Sequence, residues 1–221
     1  AELIQADRGQ DAIAIHLVTK DSFGDFAKSL SVTQRTALKA QKFDGSGYQV
    51  GIAPDGDSWF AVGGVTNPEN LSSWCLAKLA EELPAGTYRL ANGEPESGAN
   101  PAMHGWLTAQ HRFERYKKDE NAQGPRILLS KQAKHIPFAI AEAEAVNLVC
   151  DMVNTPAEDM GPAAIEAEAE KVTKKFGASI KVTKGDALEK DYPMIHAVGR
   201  AASRKHAPRL IQMEWGNEAH P

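Results

Sequence analysis

Apolar residues follow a strand-like pattern at several places in the first 130 residues. Residues 12–18 (Ala-Ile-Ala-Ile-His-Leu-Val) are almost all apolar over the length of a strand, which predicts a strand covered on both faces. Residues 58–65, 86–91 and 125–129 predict further strands. Helical patterns separate these segments, and the alternation predicts an α/β domain with a mixed sheet that ends near Ser130.

Two helices in this region are predicted from residue spacing. One follows the start signal Asn67-Pro68 and places four apolar residues on one face: Leu71, Trp74, Cys75 and Leu79. The other has the strongest helical periodicity of the chain, carried by Ala102, Trp106, Ala109, Phe113 and Tyr116.

Beyond Ser130 the pattern becomes helical over a longer stretch. Residues 138–153 contain no Gly or Pro, and they carry one apolar stripe: Phe138, Ala141, Ala145, Leu148, Val149 and Met152. Asn154-Thr155-Pro156 ends this helix, because the residue before a proline disfavours helical backbone. Gly161-Pro162 begins the next helix, with Pro162 near its first position and Asp159 as the expected cap.

The remaining sixty or so residues predict one helix and three strands. The buried stripe of the helix is Ile165, Ala169, Val172 and Phe176, and Gly177 is its expected C-terminal cap. Residues 178–182, 195–199 and 210–215 are predicted strands, and residues 216–221 are a turn. A unit of this size rarely builds an adequate core alone, so it is expected to be the opening of a larger α/β domain.

Composition narrows the classes of partner. The formal net charge of −4 makes nucleic acid an improbable partner, and no apolar run approaches membrane-spanning length. The N-terminus shows no secretory signal and no initiator Met. Cys75 and Cys150 lack the spacing of a metal site, so two free thiols in a reducing cytosol are predicted, with one disulfide as the alternative.

The chain carries few signatures of a catalytic or metal site. None of its seven histidines stands in His-Glu-x-x-His or in another close pair typical of zinc. His104 and His111 could share a helix face, but they are interpreted as surface or boundary residues, and His16 as a hydrogen-bonded core histidine. There is no Gly-x-Ser-x-Gly, P-loop or Gly-x-Gly-x-x-Gly motif.

Three weaker patterns have competing interpretations. Residues 45–47 (Gly-Ser-Gly) and 62–65 (Val-Gly-Gly-Val) could bring backbone close to a phosphate or another ligand, but a loop before a strand and a strand end are favoured. Basic and aromatic residues mix over Arg112–Lys118, where a solvated face at the end of the strongest helix is favoured over nucleic-acid contact. Carboxylates that could bind a metal are interpreted as a solvated helix face and helix-end groups: Glu142, Glu144, Asp151, Glu158 and Asp159.

Several segments together resemble the leucyl (cytosol) aminopeptidase family. Residues 153–162 (Val-Asn-Thr-Pro-Ala-Glu-Asp-Met-Gly-Pro) are similar to the Asn-Thr-Pro joint at the start of that family's catalytic domain. Residues 112–117 (Arg-Phe-Glu-Arg-Tyr-Lys) resemble its Arg-Phe-Asp-Arg-Tyr-Lys helix. Residues 197–200 and 208–211 resemble its Ala-Val-Gly strand and the strand that follows. Order and spacing agree from about Gly105 to Trp215.

The resemblance implies a cytoplasmic, hexameric metalloenzyme that removes N-terminal amino acids from peptides with two divalent ions, zinc or manganese. It implies an N-terminal macro-domain-like α/β domain over residues 1–134, a linker helix over 135–155 and the opening of the catalytic domain over 156–221. The family's metal ligands lie in motifs such as Val-Gly-Lys-Gly, expected just after Pro221. No catalytic, metal or substrate-binding residue is therefore assigned, and the chain alone is expected to bind no metal and to be inactive.

Two other functions remain open for the isolated chain. A macro-like domain could bind a nucleotide or ADP-ribose near residues 45–51 or Gly63-Gly64, which rests on fold analogy. A regulatory or assembly role, including DNA contact, is the third hypothesis, and the acidic balance of the chain argues against it.

Overall fold

The computed structural model describes residues 3–95, 99–118, 124–217 and 219, with backbone alone for residues 99 and 100. It divides into two compact units, Ala1–Leu148 (unit 1) and Val149–Pro221 (unit 2). One long helix runs across this division, and the domain boundaries expected after residues 134 and 155 stay a prediction. In the part of the chain that is described, no helix is both long and apolar enough to cross a membrane.

Unit 1 contains six strands and the first helices of the chain. The strands are β1 (Ile4–Ala6), β2 (Ile13–Val18), β3 (Val50–Asp55), β4 (Ser58–Gly64), β5 (Gly86–Leu90) and β6 (Arg126–Ser130). The helices are α1 (Phe23–Ser29), α2 (Val32–Ala40), α3 (Ala77–Glu82) and α4 (Ala99–Thr108), followed by a 3₁₀ turn (Ala133–His135) and α5 (Ile136–Asn154).

The strands of unit 1 form one mixed sheet in the order β1-β6-β5-β2-β4-β3. All neighbours are parallel except β3 and β4, which form an antiparallel hairpin. The prediction of an α/β domain with a mixed sheet is confirmed, and so are the four predicted strands. β2 lies between β5 and β4, which explains why its sequence is apolar on both faces.

The alternating side chains of β2 enter two separate hydrophobic clusters. Ile15 and Leu17 join the larger cluster, which α3, α4 and α5 cover with residues such as Leu79, Trp106 and Ala139. Val18 joins the smaller cluster, where α1 and α2 contribute Phe26, Leu38 and their neighbours. Both faces of the sheet are therefore covered by helices that the sequence connects directly to the strands.

Arg126 is a charged residue inside the larger cluster, with 3% of its surface exposed. Its guanidinium donates to the Ala80 carbonyl through Nε (2.7 Å) and to the Gly124 carbonyl through Nη1 (2.9 Å). Its own carbonyl accepts from Trp106 Nε1 at 3.0 Å. Burial lowers the pKa of the guanidinium from its usual value. Arg126 thus joins α3, α4 and β6, and its guanidinium satisfies the carbonyl of the fully buried Ala80.

Both predicted helices of unit 1 are shorter than the sequence pattern suggested. α3 begins at Ala77, since Ser72 and Cys75 form a turn in which Ser72 N–H donates to Cys75 Sγ at 3.3 Å. Trp74 in that turn is 55% exposed, so the predicted face was wrong there. α4 ends at Thr108, because the Gln110 side chain turns back and bonds the backbone of Trp106 and Arg126.

The helix predicted over residues 138–153 is confirmed as α5, but its predicted buried face was wrong. The buried residues are Ala139 and Ala143, whose small side chains let the helix approach the core of unit 1 closely. Phe138 and Val149, which the pattern placed inside, are more than half exposed. The apolar residues of α5 surround most of the helix, so their spacing alone did not identify the inward face.

Unit 2 is built from the end of α5 and five further elements. They are α6 (Pro162–Phe176), β7 (Ser179–Lys184), α7 (Asp186–Asp191), α8 (Pro193–Gly199) and β8 (Arg209–Glu214), with a 3₁₀ turn (Arg204–His206) before β8. β7 and β8 form an antiparallel two-stranded sheet. α6 ends at Gly177 in the left-handed conformation (φ 66°), which confirms the predicted glycine cap.

A predicted strand and a predicted helix face of unit 2 were wrong. Residues 195–199, predicted as a strand, form most of α8, because Pro193 at the first helical position starts a helix and so short a run of mainly apolar residues fits either structure. The predicted stripe of α6 is also incomplete, since Ile165 and Phe176 at its two ends are exposed (41% and 56%). Thr173 is the buried residue of this helix.

Candidate functional site

The joint between α5 and α6 (residues 154–162) is a helix stop followed by a helix start. The N–H and Oγ1 of Thr155 both donate to the Asp151 carbonyl (3.0 and 2.7 Å), which closes the last turn of α5. The N–H groups of Asp159 and Met160 bond the Pro156 carbonyl in the turn that follows. The predicted stop at Asn154-Thr155-Pro156 and the start at Pro162 are both confirmed.

Asp159 was predicted to cap α6, and this was wrong. The N-cap of α6 is Gly161, which has extended backbone and no side chain that could accept a hydrogen bond. A Cβ on Gly161 would lie 2.2 Å from Nδ1 of His206, so the glycine is needed for close contact rather than for capping. The 3₁₀ turn that contains His206 therefore packs directly against the joint.

An ion pair holds the same two segments of unit 2 together. Lys205 Nζ lies 2.7 Å from Glu158 Oε1, and His206 Nε2 lies 3.9 Å from Glu158 Oε2. The hydrogen bond from Lys205 lowers the pKa of the Glu158 carboxyl and keeps it ionised. Glu158 thus makes an exposed contact between the joint and this turn, with a lysine and a histidine beside its carboxylate.

A second charged cluster lies deeper in unit 2. Arg209 Nη1 bonds Glu166 Oε2, and Lys184 Nζ lies 3.2 Å from Glu166 Oε1. The Glu166 and Arg209 side chains are 12% and 9% exposed. The hydrogen bond from Arg209 lowers the pKa of the Glu166 carboxyl. This cluster connects α6 to both strands of the two-stranded sheet and leaves no free carboxylate for chemistry.

The acidic residues of the linker do not converge on a common point. Glu142 and Glu144 lie on the exposed face of α5, as predicted for a solvated helix face. Across residues 3–95, 99–118 and 124–217, no group of three or more His, Cys, Asp or Glu side chains is arranged to hold a metal ion. The described residues therefore do not bring together the side chains that a metal centre needs. Cys75 and Cys150 are both free, as predicted.

The histidines are dispersed over the two units. His104 lies on α4 with its ring 6.3 Å from that of Trp74, whereas His111 lies beyond the end of α4, so the two do not share a helix face. His16 packs against the rings of Phe26 and Phe60 (5.2 and 5.1 Å), and its burial lowers the pKa of the imidazole. His220 lies outside the described residues.

The glycines near residues 45–64 make room for the chain itself. A Cβ on Gly64 would lie 1.9 Å from the Ser46 carbonyl oxygen, and one on Gly63 would lie 2.8 Å from Leu79. The N–H of Tyr48 donates to the Gly64 carbonyl at 2.9 Å. The loop over residues 45–47 thus packs onto the end of β4, and the backbone surface that a ligand would need there is already covered.

The basic-aromatic segment Arg112–Lys118 is not helical, which corrects its placement at the end of the strongest helix. Phe113 and Tyr116 stack with ring centroids 5.9 Å apart, and the Arg115 guanidinium lies 5.6 Å from the Tyr116 ring. Tyr116 is 53% exposed and so does not belong to a buried stripe. The aromatic residues here are partnered within the segment itself.

The carboxyl edge of the parallel strands carries one group that the sequence pattern did not single out. The Glu94 carboxylate follows β5 and accepts from Ser130 Oγ at the end of β6, at 2.9 Å. Burial raises the pKa of Glu94. Nearby, Asp7 and Arg89 form a bidentate pair at 2.7 and 2.9 Å. Each carboxylate thus has its own partner within unit 1, and the sequence signal for Asp7 and Glu94 is their position after β1 and β5.

Comparison with known protein families identifies the family to which the chain is related. A model of the M17 aminopeptidase N-terminal domain matches residues 13–129, and a model of the catalytic domain of the cytosol aminopeptidase family matches residues 147–221. The chain belongs to this family. The resemblance drawn from the joint at residues 153–162 is confirmed, and the two matches follow one another in the expected order.

Relatives of known sequence agree with this assignment. The chain is 30% identical to the probable cytosol aminopeptidases of Brucella anthropi and Brucella suis, over 97% of its own length in each case. These matches cover 44% of each relative. The chain thus spans about half the length of the curated relatives it matches.

Solved structures show the same fold. The cytosol aminopeptidase of Coxiella burnetii superimposes with a TM-score of 0.86 at 27% identity, over 100% of this chain and 48% of that one. Tomato leucine aminopeptidase gives a TM-score of 0.72 at 15% identity, over 95% and 49% of the two chains. A bottromycin maturation enzyme solved with manganese has the same TM-score at 19% identity. The last two similarities establish the fold alone.

Proposed function

We propose that this chain provides the N-terminal domain and the opening of the catalytic domain of a metalloaminopeptidase that hydrolyses N-terminal amino acids from peptides. The observation that carries the proposal is the catalytic-domain match over residues 147–221, which follows the N-terminal-domain match over residues 13–129 along the chain. The domains proposed are an N-terminal α/β domain over 1–134, a linker helix over 135–155 and the opening of the catalytic domain over 156–221.

The metal requirement of the reaction is assigned to residues beyond those described. Two divalent ions, zinc or manganese, are proposed for the complete enzyme, where they would supply Lewis-acid activation of water. The described residues do not fit such a centre, because their carboxylates and histidines form no cluster of three. No residue of this chain is therefore proposed as a metal ligand or catalytic group, and the chain alone is proposed to be inactive.

The proposed role of the described residues is positional. Thr155 closes α5, and the pair between Glu158 and Lys205 attaches the joint to the turn before β8. These contacts fix where the catalytic domain begins relative to its own first strands. A cytoplasmic location and assembly into a hexamer are proposed for the complete enzyme from its family.

The test compares the 221-residue chain with a chimera in which the chain is followed by the part of the Coxiella burnetii cytosol aminopeptidase that it does not cover. With leucine p-nitroanilide and Mn²⁺, the chimera is expected to release p-nitroaniline and to lose activity with EDTA. The chain alone is expected to stay at background. Turnover by the chain alone, proportional to its concentration and removed by EDTA, would contradict the proposed inactivity.

A further inference from the structure

β3 lies at one end of the strand order of unit 1, so one side of this strand is an edge of the sheet. Its antiparallel register with β4 directs the backbone groups of alternate residues to the outer side: Val50, Ile52 and Pro54. An edge with free N–H and C=O groups is a template for pairing with a further strand. What occupies these groups therefore decides whether another chain can add to the sheet.

The side-chain amide of Gln41 occupies the edge at Ile52. Gln41 Oε1 accepts from the Ile52 N–H at 2.9 Å, and Gln41 Nε2 donates to the Ile52 carbonyl at 2.7 Å. A residue of a neighbouring antiparallel strand would make the same two bonds, one with its C=O and one with its N–H. The amide of Gln41 thus stands in for one residue of a further strand.

The orientation of this amide is fixed by its surroundings. Nε2 also donates to the Ala37 carbonyl at 2.9 Å, so a flipped amide would place its oxygen against two carbonyls. Gln41 is the C-cap residue of α2, and Leu38 of that helix is buried against β3. A Cβ on Gly51 would lie 2.7 Å from Leu38 Cδ2. The glycine therefore lets α2 approach β3 closely enough for Gln41 to reach the edge.

The next outward position of β3 is protected in a different way. Pro54 has no N–H to offer a further strand, and its carbonyl accepts from Gln34 Nε2 at 2.9 Å. Gln34 Oε1 accepts from the Ser31 N–H in the capping box of α2. Gln34 and Gln41 are seven positions apart, which places them on the same side of the helix. Both glutamines thus follow the strand edge.

A glutamine also covers a backbone group at the other end of the sheet. The Asp7 N–H donates to the Ser130 carbonyl, so Ala6 beside it faces away from β6. The Ala6 carbonyl accepts from Gln10 Nε2 at 3.1 Å, and Gln10 Oε1 accepts from the Arg8 N–H at 2.7 Å. Glutamine amides therefore bond outward backbone groups at both ends of the strand order.

We propose that the Gln41 side chain blocks strand addition at β3, and that without it this edge pairs with β3 of a second copy of the chain. The edge is complementary to itself in antiparallel pairing. With Ile52 opposite Ile52 of the second copy, the two residues exchange two hydrogen bonds. Each Val50 N–H then meets the Pro54 carbonyl of the other copy, which has a second lone pair beside the bond from Gln34.

The experiment compares variants of the 221-residue chain by sedimentation velocity over a series of concentrations and by amide hydrogen exchange. Gln41→Ala frees the Ile52 backbone groups. We expect exchange of the Ile52 amide to become at least about tenfold faster in dilute protein, and self-association to become at least about tenfold tighter than in wild type. Gln41→Glu is the second variant, with the same expectation at neutral pH, because a carboxylate oxygen would face the Ile52 and Ala37 carbonyls.

Lys39→Ala is the matched control, since Lys39 is exposed on the same helix and its side chain lies outside this set of hydrogen bonds. It is expected to match wild type in both measurements. Adding Val50→Pro to Gln41→Ala removes an N–H that the dimer needs, and is expected to return self-association to the wild-type level.

Three results would overturn the proposal. If Gln41→Ala and Gln41→Glu exchange faster at Ile52 but associate like wild type, the opened edge does not accept a second copy. If exchange at Ile52 is unchanged in both variants, the Gln41 amide does not cover the edge. If the double variant associates as tightly as Gln41→Ala alone, the contact between copies lies on another surface.

Discussion

The two units differ in how many large apolar side chains they bury. Unit 1 encloses large side chains such as Trp106, Tyr88 and Leu128 at 1% exposure or less, and its sheet is covered on both faces. Among the described residues of unit 2, Leu188 is the one fully buried apolar side chain, and its other buried residues are threonines. Regular helices and strands therefore form in both units, but a closed core forms in one.

The difference shows that local signals and core formation are separate properties of a sequence. Unit 2 has a proline at the start of α6, a glycine cap at its end and a well-paired hairpin. These features determine where the helices and strands of unit 2 begin and end, but they bury little apolar surface. Ion pairs such as that between Glu166 and Arg209 connect these helices and strands. Apolar residues of α8 such as Met194 and Val198 stay exposed.

The strongest test of the closed core in unit 1 is Gly105→Ala. A Cβ on Gly105 would lie 1.7 Å from the Ser73 carbonyl oxygen, which is backbone and has no alternative rotamer. We expect α4 to be displaced, with a loss of about 3 kcal/mol or more in the free energy of unfolding. Urea unfolding followed by tryptophan fluorescence measures it, since Trp106 is adjacent.

Gly24→Ala is the control for this substitution. Gly24 lies in α1 and its Cβ position is open, with nothing within 4 Å. Alanine there is expected to stabilise the protein by about 0.5–1 kcal/mol, because it reduces the entropy of the unfolded chain. Similar losses for both glycines would show that unit 1 tolerates no change at helical glycines in general, and would refute the packing argument.

The next largest effect is expected at Arg126. Arg126→Met keeps the length of the side chain but removes the donors to the Ala80 and Gly124 carbonyls. Leaving the buried Ala80 carbonyl without this donor is expected to cost about 2–3 kcal/mol of unfolding free energy. Arg112→Met is the control, since Arg112 also donates to backbone carbonyls but is exposed, and a change within about 0.5 kcal/mol is expected. Equal losses would mean that burial of Arg126 is not the decisive property.

Sequence patterns were reliable where the deciding forces are local. The strand over residues 12–18 and the helix stop at Thr155-Pro156 depend on neighbours along the chain, and both were predicted. The segment over residues 195–199 was mispredicted because a short apolar run fits a strand or a helix, and Pro193 decided between them.

Patterns failed where distant contacts decide the outcome. Ala139 rather than Phe138 faces the core, because the fit against the sheet requires a small side chain at that point. Glu94 and Ser130 meet through the parallel order of β5 and β6, which no local motif encodes. The absence of an assigned catalytic residue followed from family motifs that the chain does not contain.

In unit 2 the corresponding test is Arg209→Met. This change removes the partner that keeps Glu166 ionised between α6 and β8. Because that pair is largely buried, we expect a loss of about 1.5–3 kcal/mol in unfolding free energy at neutral pH. Lys205→Met breaks the more exposed pair with Glu158 and is expected to cost less than about 1 kcal/mol. If Arg209→Met and Lys205→Met lose equal stability, the buried ion pair does not stabilise unit 2 more than the exposed one, and the argument is wrong.

The smallest effect concerns the edge of unit 1, where Asp7 follows β1 and pairs with Arg89 of β5. The hydrogen bond from Arg89 lowers the pKa of Asp7 from 3.8 to about 2. A carboxyl with a lowered folded pKa stabilises the protein above its unfolded pKa, and this contribution is lost as the pH falls from about 4 to about 2.

The substitution Asp7→Asn removes that contribution at every pH. The difference in unfolding free energy between wild type and Asp7→Asn should therefore be constant above about pH 5 and shrink towards zero near pH 2. Urea unfolding at intervals between pH 2 and pH 6 measures the difference. Asp25→Asn, which removes an exposed pair with Lys28, serves as the control with a small effect. A difference for Asp7→Asn that does not change with pH would mean that the ionised pair with Arg89 does not stabilise the folded state.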